Sequence, residues 1–365
     1  MKWATTILVA SVAALLALGL VMLYSASMDQ QGARYLNKQL EWAGLGMVAC
    51  CVAAVVDYRW LQKLALPFLG LTVLMLIAVL IPGVGVERNG ARRWFDFGPV
   101  HFQPSELAKL TLLLGIAAYG ARFQEKMRNF RHGLLMPGLG IALTCGLVFL
   151  EPDFGTTVLL ATAAIILLLI AGANWKHVVL PALAGAVLVG VAIFNDPVRL
   201  KRIEAFLHPE EHRSGAGWQA YQSMVALGSG GVTGLGLGNS RQKLGFVPEH
   251  HTDFIFSIIG EELGIIATLG IILAFMAILG SGLYIAWRAR DRFGLLLGAG
   301  ITFLICLQAF INIGVVTSAL PNKGLPLPFI SYGGSSLLMM LTAVGILLSI
   351  AHHHDQPHDG STSEP

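Results

Sequence analysis

Ten apolar runs divide the chain, near residues 4–25, 40–56, 64–82, 105–120, 134–150, 156–172, 177–194, 254–286, 295–318 and 334–351. An α-helix needs about 20 residues to cross the ~30 Å hydrocarbon layer, and most of these runs reach that length or fall slightly short. The run at 105–120 is the weakest of the ten. Backbone polar groups inside lipid must be satisfied within their own segment, so apolar runs of this length become helices. The expected fold class is therefore an all-α polytopic membrane protein with about ten transmembrane helices. Composition agrees: 55% of the 365 residues are hydrophobic and 12% are charged, against roughly 25% charged in a soluble domain. Such a chain cannot cover a water-facing surface. That excludes a soluble enzyme, a disordered protein and a DNA-binding module, and a net charge of +3 gives no argument for nucleic acid. Cys50, Cys51, Cys145 and Cys306 all fall in apolar runs, so neither a disulfide framework nor a metal cluster is expected.

Orientation follows from the basic residues between the runs. With the N-terminus inside, the cytoplasmic segments hold Lys2, Arg59, Lys63, Arg122, Lys126, Arg128, Arg131, Lys176, Arg288, Arg290 and Arg292, and the short outer loops hold Arg34, Lys38, Arg88, Arg92, Arg93 and Lys323. Eleven against six places both termini in the cytoplasm. The first run is too long for a signal peptide and no A-x-A site follows, so it is expected to stay as an anchor. Residues 1–351 are expected to form one transmembrane domain with a large extracytoplasmic loop at 195–252. A polar cytoplasmic tail, 352–365, follows, and its three histidines are read as solvated rather than as metal ligands.

Polar residues concentrate on the outer side. The loop at 83–104, GVGVERNGARRWFDFGPVHFQ, leads into a helix whose N-cap is expected at Ser105, with Glu106 in its first turn. Lys109 stands three residues on, inside an apolar run, where a lone lysine costs roughly 2.5–3.5 kcal/mol. Glu106 and Lys109 share a helix face and can pair. Two readings stand side by side here: an ion pair that locks helices together, or the polar wall of a substrate cavity. Arg88, Arg92 and Arg93 beside Trp94 suit phosphate oxygens, or equally lipid head groups. The glycines at 234, 236 and 238 imitate part of a dinucleotide fingerprint, but no strand precedes them and no helix opens directly after. Beside Asn239, Ser240, Arg241 and Lys243 they can form either a phosphate-approaching loop or a flexible one. Asp253, flanked by His250, His251 and Thr252, precedes a 33-residue apolar run interrupted only by Glu261 and Glu262. A continuous helix would carry Asp253 about 15 Å beyond its uninterrupted part. There it is either an N-cap or a carboxylate poised as a base. The prolines and glycines of ALPNKGLPLPFISYGGS, at 319–335, forbid a regular helix.

Several of these segments, in this order, resemble the SEDS proteins (shape, elongation, division and sporulation) of bacteria over nearly the whole chain. The segments are ARRW and QPSELAKL, GWQAYQS with ALGSGG, GLGLGNSRQKLGFVPEHHTDFIFSIIGEELG, and PNKGLPLPFISYGGSS. The resemblance implies the SEDS fold of ten helices and an enzyme that polymerises lipid II into glycan strands at the outer face of the cytoplasmic membrane. It implies an extracytoplasmic site whose catalytic aspartate is Asp253. Glu106 and Lys109 occupy charged cavity positions in this family, and Ser331, Gly333 and Gly334 its last outward motif. Arg92, Arg93 and Lys243 are then the candidates for pyrophosphate, with Trp94, His251 and Thr252 beside the substrate. A divalent cation can share the pyrophosphate charge, although no dedicated ligand set is legible. The implied partners are lipid II, the nascent glycan strand, a class B penicillin-binding protein with transpeptidase activity and other division proteins. The motif wording is nearer the cell-division branch than the elongation branch, and the sporulation branch shares much of it. The competing expectations are a lipid II flippase and a non-catalytic scaffold.

Overall fold

A computed structural model describes residues 1–31, 34–88, 90–96, 98, 101–208, 215, 217–243 and 252–354. Its helices are α1 (Lys2–Gln31), α2 (Arg34–Val55), α3 (Arg59–Leu80), α4 (Pro104–Arg122), α5 (Met136–Leu150), α6 (Phe154–Ile170), α7 (Trp175–Phe194), α8 (Pro197–Leu207), α9 (Trp218–Gly230), α10 (Ile255–Trp287), α11 (Arg292–Val316) and α12 (Gly334–His352). Eight of them are long and apolar enough to cross a membrane unaided, and α4 and α6 bring the bundle to the expected ten. The weak hydropathy of α4 has a physical cause. Fourteen of its 19 residues are buried, so neighbouring helices, not lipid, surround it. The opposite case is α7, where only Val178 is buried and almost the whole surface is apolar and outward.

The helices alternate in direction. Trp3, at the start of α1, packs in a tilted arrangement against Tyr284 near the end of α10, and His353, just past α12, lies edge-on to Tyr58. Arg59 pairs with Asp291 at 3.2 Å at this same end of the bundle. The beginning of α1 and the end of α12 therefore lie together, as an even number of crossings requires. Close approach of α2 and α12 depends on missing side chains: a Cβ at Gly345 would run into the backbone of Cys50, and one at Gly46 into Leu341.

Three sequence expectations change. The loop at 83–104 contains a three-stranded antiparallel sheet, β1 (Val86–Arg88), β2 (Ala91–Asp96) and β3 (His101–Phe102), in the order β1-β2-β3. The N-cap of α4 is Gln103, with Pro104 opening the helix, rather than Ser105. The third change concerns α10, which is not continuous: Gly264 has φ 73° and ψ −171°. A Cβ there would collide with the backbone of Val232 and Gly234. The loop after α9 fills the bonds this break releases, with Leu235 N donating to Glu261 O at 3.0 Å, Gly236 N to Glu262 O at 2.9 Å and Ile265 N to Gly231 O at 3.0 Å. Residues 255–263 thus form a separate short helix held by a loop, and the extrapolation along one straight axis for Asp253 fails.

Candidate active site

At the end of the bundle away from Arg59 and Asp291, a cavity of about 920 Å³ opens between α2, the sheet, α4, α6, the α7–α9 segment and the loop before α12. Asp253 and Thr252 line it. The N-cap position of the short helix falls to Phe254, which leaves Asp253 one residue outside it. Facing the cavity with Asp253 are Glu106 and Asp153, and against these three carboxylates stand Arg34, Lys38, Arg93, Arg202 and Lys323. An excess of cations in a polar cavity beside lipid-spanning helices suits a ligand carrying several negative charges.

Each wall has a local reason. In β2, Arg92 and Arg93 part company. Arg92 pairs across the strands with Glu87 at 3.2 Å, both side chains exposed by more than a third. Arg93 turns the other way, donating from Nε to Glu151 O and from a terminal nitrogen to Pro152 O, each at 2.7 Å. That guanidinium ties the sheet to the turn between α5 and α6 while facing the cavity, and Trp94 lines the cavity next to it. Arg92 is therefore not among the cavity cations. Asp153 caps α6, accepting from Thr156 N at 3.0 Å, and also receives Gln103 Nε2 at 3.3 Å. Gly333 and Gly334 form the opposite wall, where a side chain at Gly334 would overlap the Trp42 indole.

Glu106 and Lys109 do pair, at 2.7 Å, but they are not equivalent. Glu106 reaches the cavity, whereas Lys109 is 1% exposed and sits behind it, donating also to Gln308 Oε1 at 2.9 Å. Glu106 is part of the cavity wall, and Lys109 behind it ties α4 to α11 through Gln308. Ser331 is likewise buried behind the surface, donating to Thr252 O at 2.6 Å and accepting from Leu327 N at 2.8 Å.

Lys243 is displaced furthest from its expected role. Its Nζ is buried among Gly238 O at 2.8 Å, Ser25 O at 3.2 Å and Glu262 Oε1 at 3.2 Å. Glu262 also receives Ser25 Oγ at 2.7 Å and Gly238 N at 3.0 Å. Glu261 receives Arg241 N at 3.0 Å and the Ser240 hydroxyl. The two glutamates that interrupt the apolar run are thus the anchor of the glycine-rich loop, and Lys243 pairs with the second of them, Glu262. It does not face the cavity. His251 lies outside the described residues.

Residues missed by the sequence reading include Lys323, which had counted only toward orientation, and Asp153 with Gln103. Glu151 is another. It is fully buried in the turn after α5, and neither carboxylate oxygen has a hydrogen-bond partner. Burial first, and then Asp153, push its carboxyl up to about 9, with Arg93 opposing. The folded protein thus holds a proton there that the unfolded chain releases above about pH 4.5. Stability from this group is complete below that pH and is lost as pH rises toward 9, by about 1.4 kcal/mol per unit. Glu151→Gln should flatten the fall in unfolding temperature between pH 5 and 9, measured by thermal scans in detergent; an unchanged slope would remove Glu151 as its source. Among the described residues no three His, Cys, Asp or Glu side chains come together as a metal ligand set.

Fold and cavity together define a multi-pass helical membrane protein with a charged cavity open at one end. The profile of the FtsW, RodA and SpoVE family of cell cycle proteins matches residues 5–356. The chain belongs to that family. Relatives include a probable peptidoglycan glycosyltransferase FtsW of Trichlorobacter lovleyi, 41% identical over 94% of this chain and 92% of that one. The stage V sporulation protein E of Bacillus subtilis is 40% identical over 93% and 94%. Among solved structures, a chain from a peptidoglycan synthase complex described as coordinating polymerization and crosslinking superposes with a TM-score of 0.82, at 32% identity over 96% of this chain and 98% of that one. The rod shape determining protein RodA of Thermus thermophilus gives 0.71, at 29% identity over 96% and 97%.

Proposed function

We propose that this protein is a peptidoglycan glycosyltransferase that polymerises lipid II into glycan strands at the outer face of the cytoplasmic membrane, during septal wall synthesis. The observation that carries this reading is Asp253 in a cavity whose other charged walls are mainly cationic. In the reaction, Asp253 takes the proton from the acceptor's sugar hydroxyl and that oxygen attacks the anomeric carbon of the donor. The bond from that carbon to pyrophosphate breaks, and undecaprenyl diphosphate leaves. Charge builds on the leaving pyrophosphate, and Arg93 and Lys323, with Arg34, Lys38 and Arg202, face the space where it forms. Burial lowers the affinity of Lys323 for its proton, and an arriving diphosphate reverses that effect. The apolar helix surfaces outside the cavity suit the polyprenyl tail. A class B penicillin-binding protein is the proposed partner, supported by the likeness to a synthase complex; other division proteins and a septal location are proposed from the wording of the motifs.

The test is direct. Full-length protein, purified with its cognate transpeptidase and supplied with labelled lipid II, should yield glycan polymer. Movement of lipid II between leaflets without polymer would favour the flippase instead.

A further inference from the structure

Gln308 and Asn312 stand one turn apart on α11, and so share a face. Both are buried, at 0% and 2% exposure. Gln308 accepts from Lys109 Nζ at 2.9 Å and donates from Nε2 to Pro326 O at 2.8 Å. Asn312 uses its one amide nitrogen twice, donating to Leu325 O at 2.7 Å and to Asp253 O at 2.8 Å. An amide can make this pair of contacts in only one orientation, because its oxygen would repel both carbonyls. Gly324, just before this segment, faces the carboxylate itself: a Cβ there would lie 2.9 Å from Asp253 Oδ2. A continuous ladder therefore runs from Glu106 and Lys109 through Gln308, the 324–326 backbone and Asn312 to Asp253.

We propose that Gln308 and Asn312 are positioning residues for the base, and that the ion pair acts on Asp253 through them. The segment before α12 has no regular structure of its own, so its carbonyls need donors and α11 supplies them. Because the same amide also holds the Asp253 carbonyl, the backbone that carries the carboxylate is fixed beside Gly324. The proposal rests on Asp253 being the base, and the following experiment separates the two.

Asn312→Ala, Gln308→Ala, Gly324→Ala and Asp253→Asn are compared in the full-length protein purified with its transpeptidase, using lipid II polymerisation. Misplacing a catalytic group by about 1 Å costs on the order of 10²-fold, so Asn312→Ala should lose about that factor in kcat with KM for lipid II nearly unchanged. The acidic limb of its pH–rate profile should also move. Gln308→Ala should show a smaller loss of the same kind. Gly324→Ala disturbs the carboxylate from the other side with α11 intact, and should reproduce the kcat loss and the pH shift. It also decides the matter if Asn312→Ala does not fold. Neither substitution should lower residual turnover further in an Asp253→Asn background. Wild-type kcat in both Asn312→Ala and Gly324→Ala would overturn the proposal, as would losses of equal factor with and without Asp253. If Asp253→Asn itself polymerises normally, the base assignment fails first; if it is inactive while the other variants are normal, only the ladder fails.

Discussion

Asp253→Asn is expected to abolish nearly all polymer formation from lipid II while leaving the protein folded, membrane-inserted and able to bind its substrate. Asparagine keeps the size of the side chain but accepts no proton at neutral pH. General-base catalysis contributes roughly 10²–10⁴-fold, and that is the loss expected in turnover. Binding should change little, because the cations that line the cavity, Arg93 and Lys323 among them, belong to other segments. The backbone carbonyl that Asn312 holds is also untouched. Polymer yield, lipid II binding and the melting temperature, measured on one preparation, check the three parts. Wild-type turnover in this variant would move the base elsewhere.

The second large effect is on stability. Lys109→Ala leaves Glu106, 4% exposed, without the ammonium 2.7 Å away. Removing one member of a buried pair costs roughly 3–5 kcal/mol, most of it the penalty of an uncompensated charge. Gln308 loses its donor at the same time. The variant should therefore melt well below wild type in detergent and polymerise poorly. Adding Glu106→Gln removes the stranded charge and should restore much of the melting temperature. Activity should recover less, because Glu106 reaches the cavity and Gln308 still has no lysine to hold it. A double variant no more stable than Lys109→Ala would show that the pair does not brace the bundle.

Much of the architecture was legible without coordinates. Apolar length alone gives ten crossings, because lipid leaves a chain few other options. The outward clustering of charge locates the end that carries the cavity, and Asp253, Glu106, Arg93 and Trp94 all lie there. Less legible was which cation faces the cavity. Arg92 and Arg93 are neighbours of identical chemistry, and only the register of β2 against β1 sends one to Glu87 and the other to the turn at Glu151. Gln308 and Asn312 left a detectable signal, two amides one turn apart in an apolar helix, of the kind that marks internal partners. Their partners lie on α4, just ahead of α10 and in the segment before α12, at separations no local pattern reports.

Lys243 marks the boundary between the two kinds of information. From its sequence alone, the protein was determined to be a bundle of membrane-crossing helices with basic, glycine-rich segments gathered at one end. Helix formation and insertion depend on the apolar content of each segment by itself, which a sequence states directly. The tertiary structure alone decided that Lys243 would neutralise Glu262 and that Lys323 would face the cavity. A buried charge takes whichever opposite charge the packing brings within about 4 Å, and here the break at Gly264 and the loop folded against it make that choice.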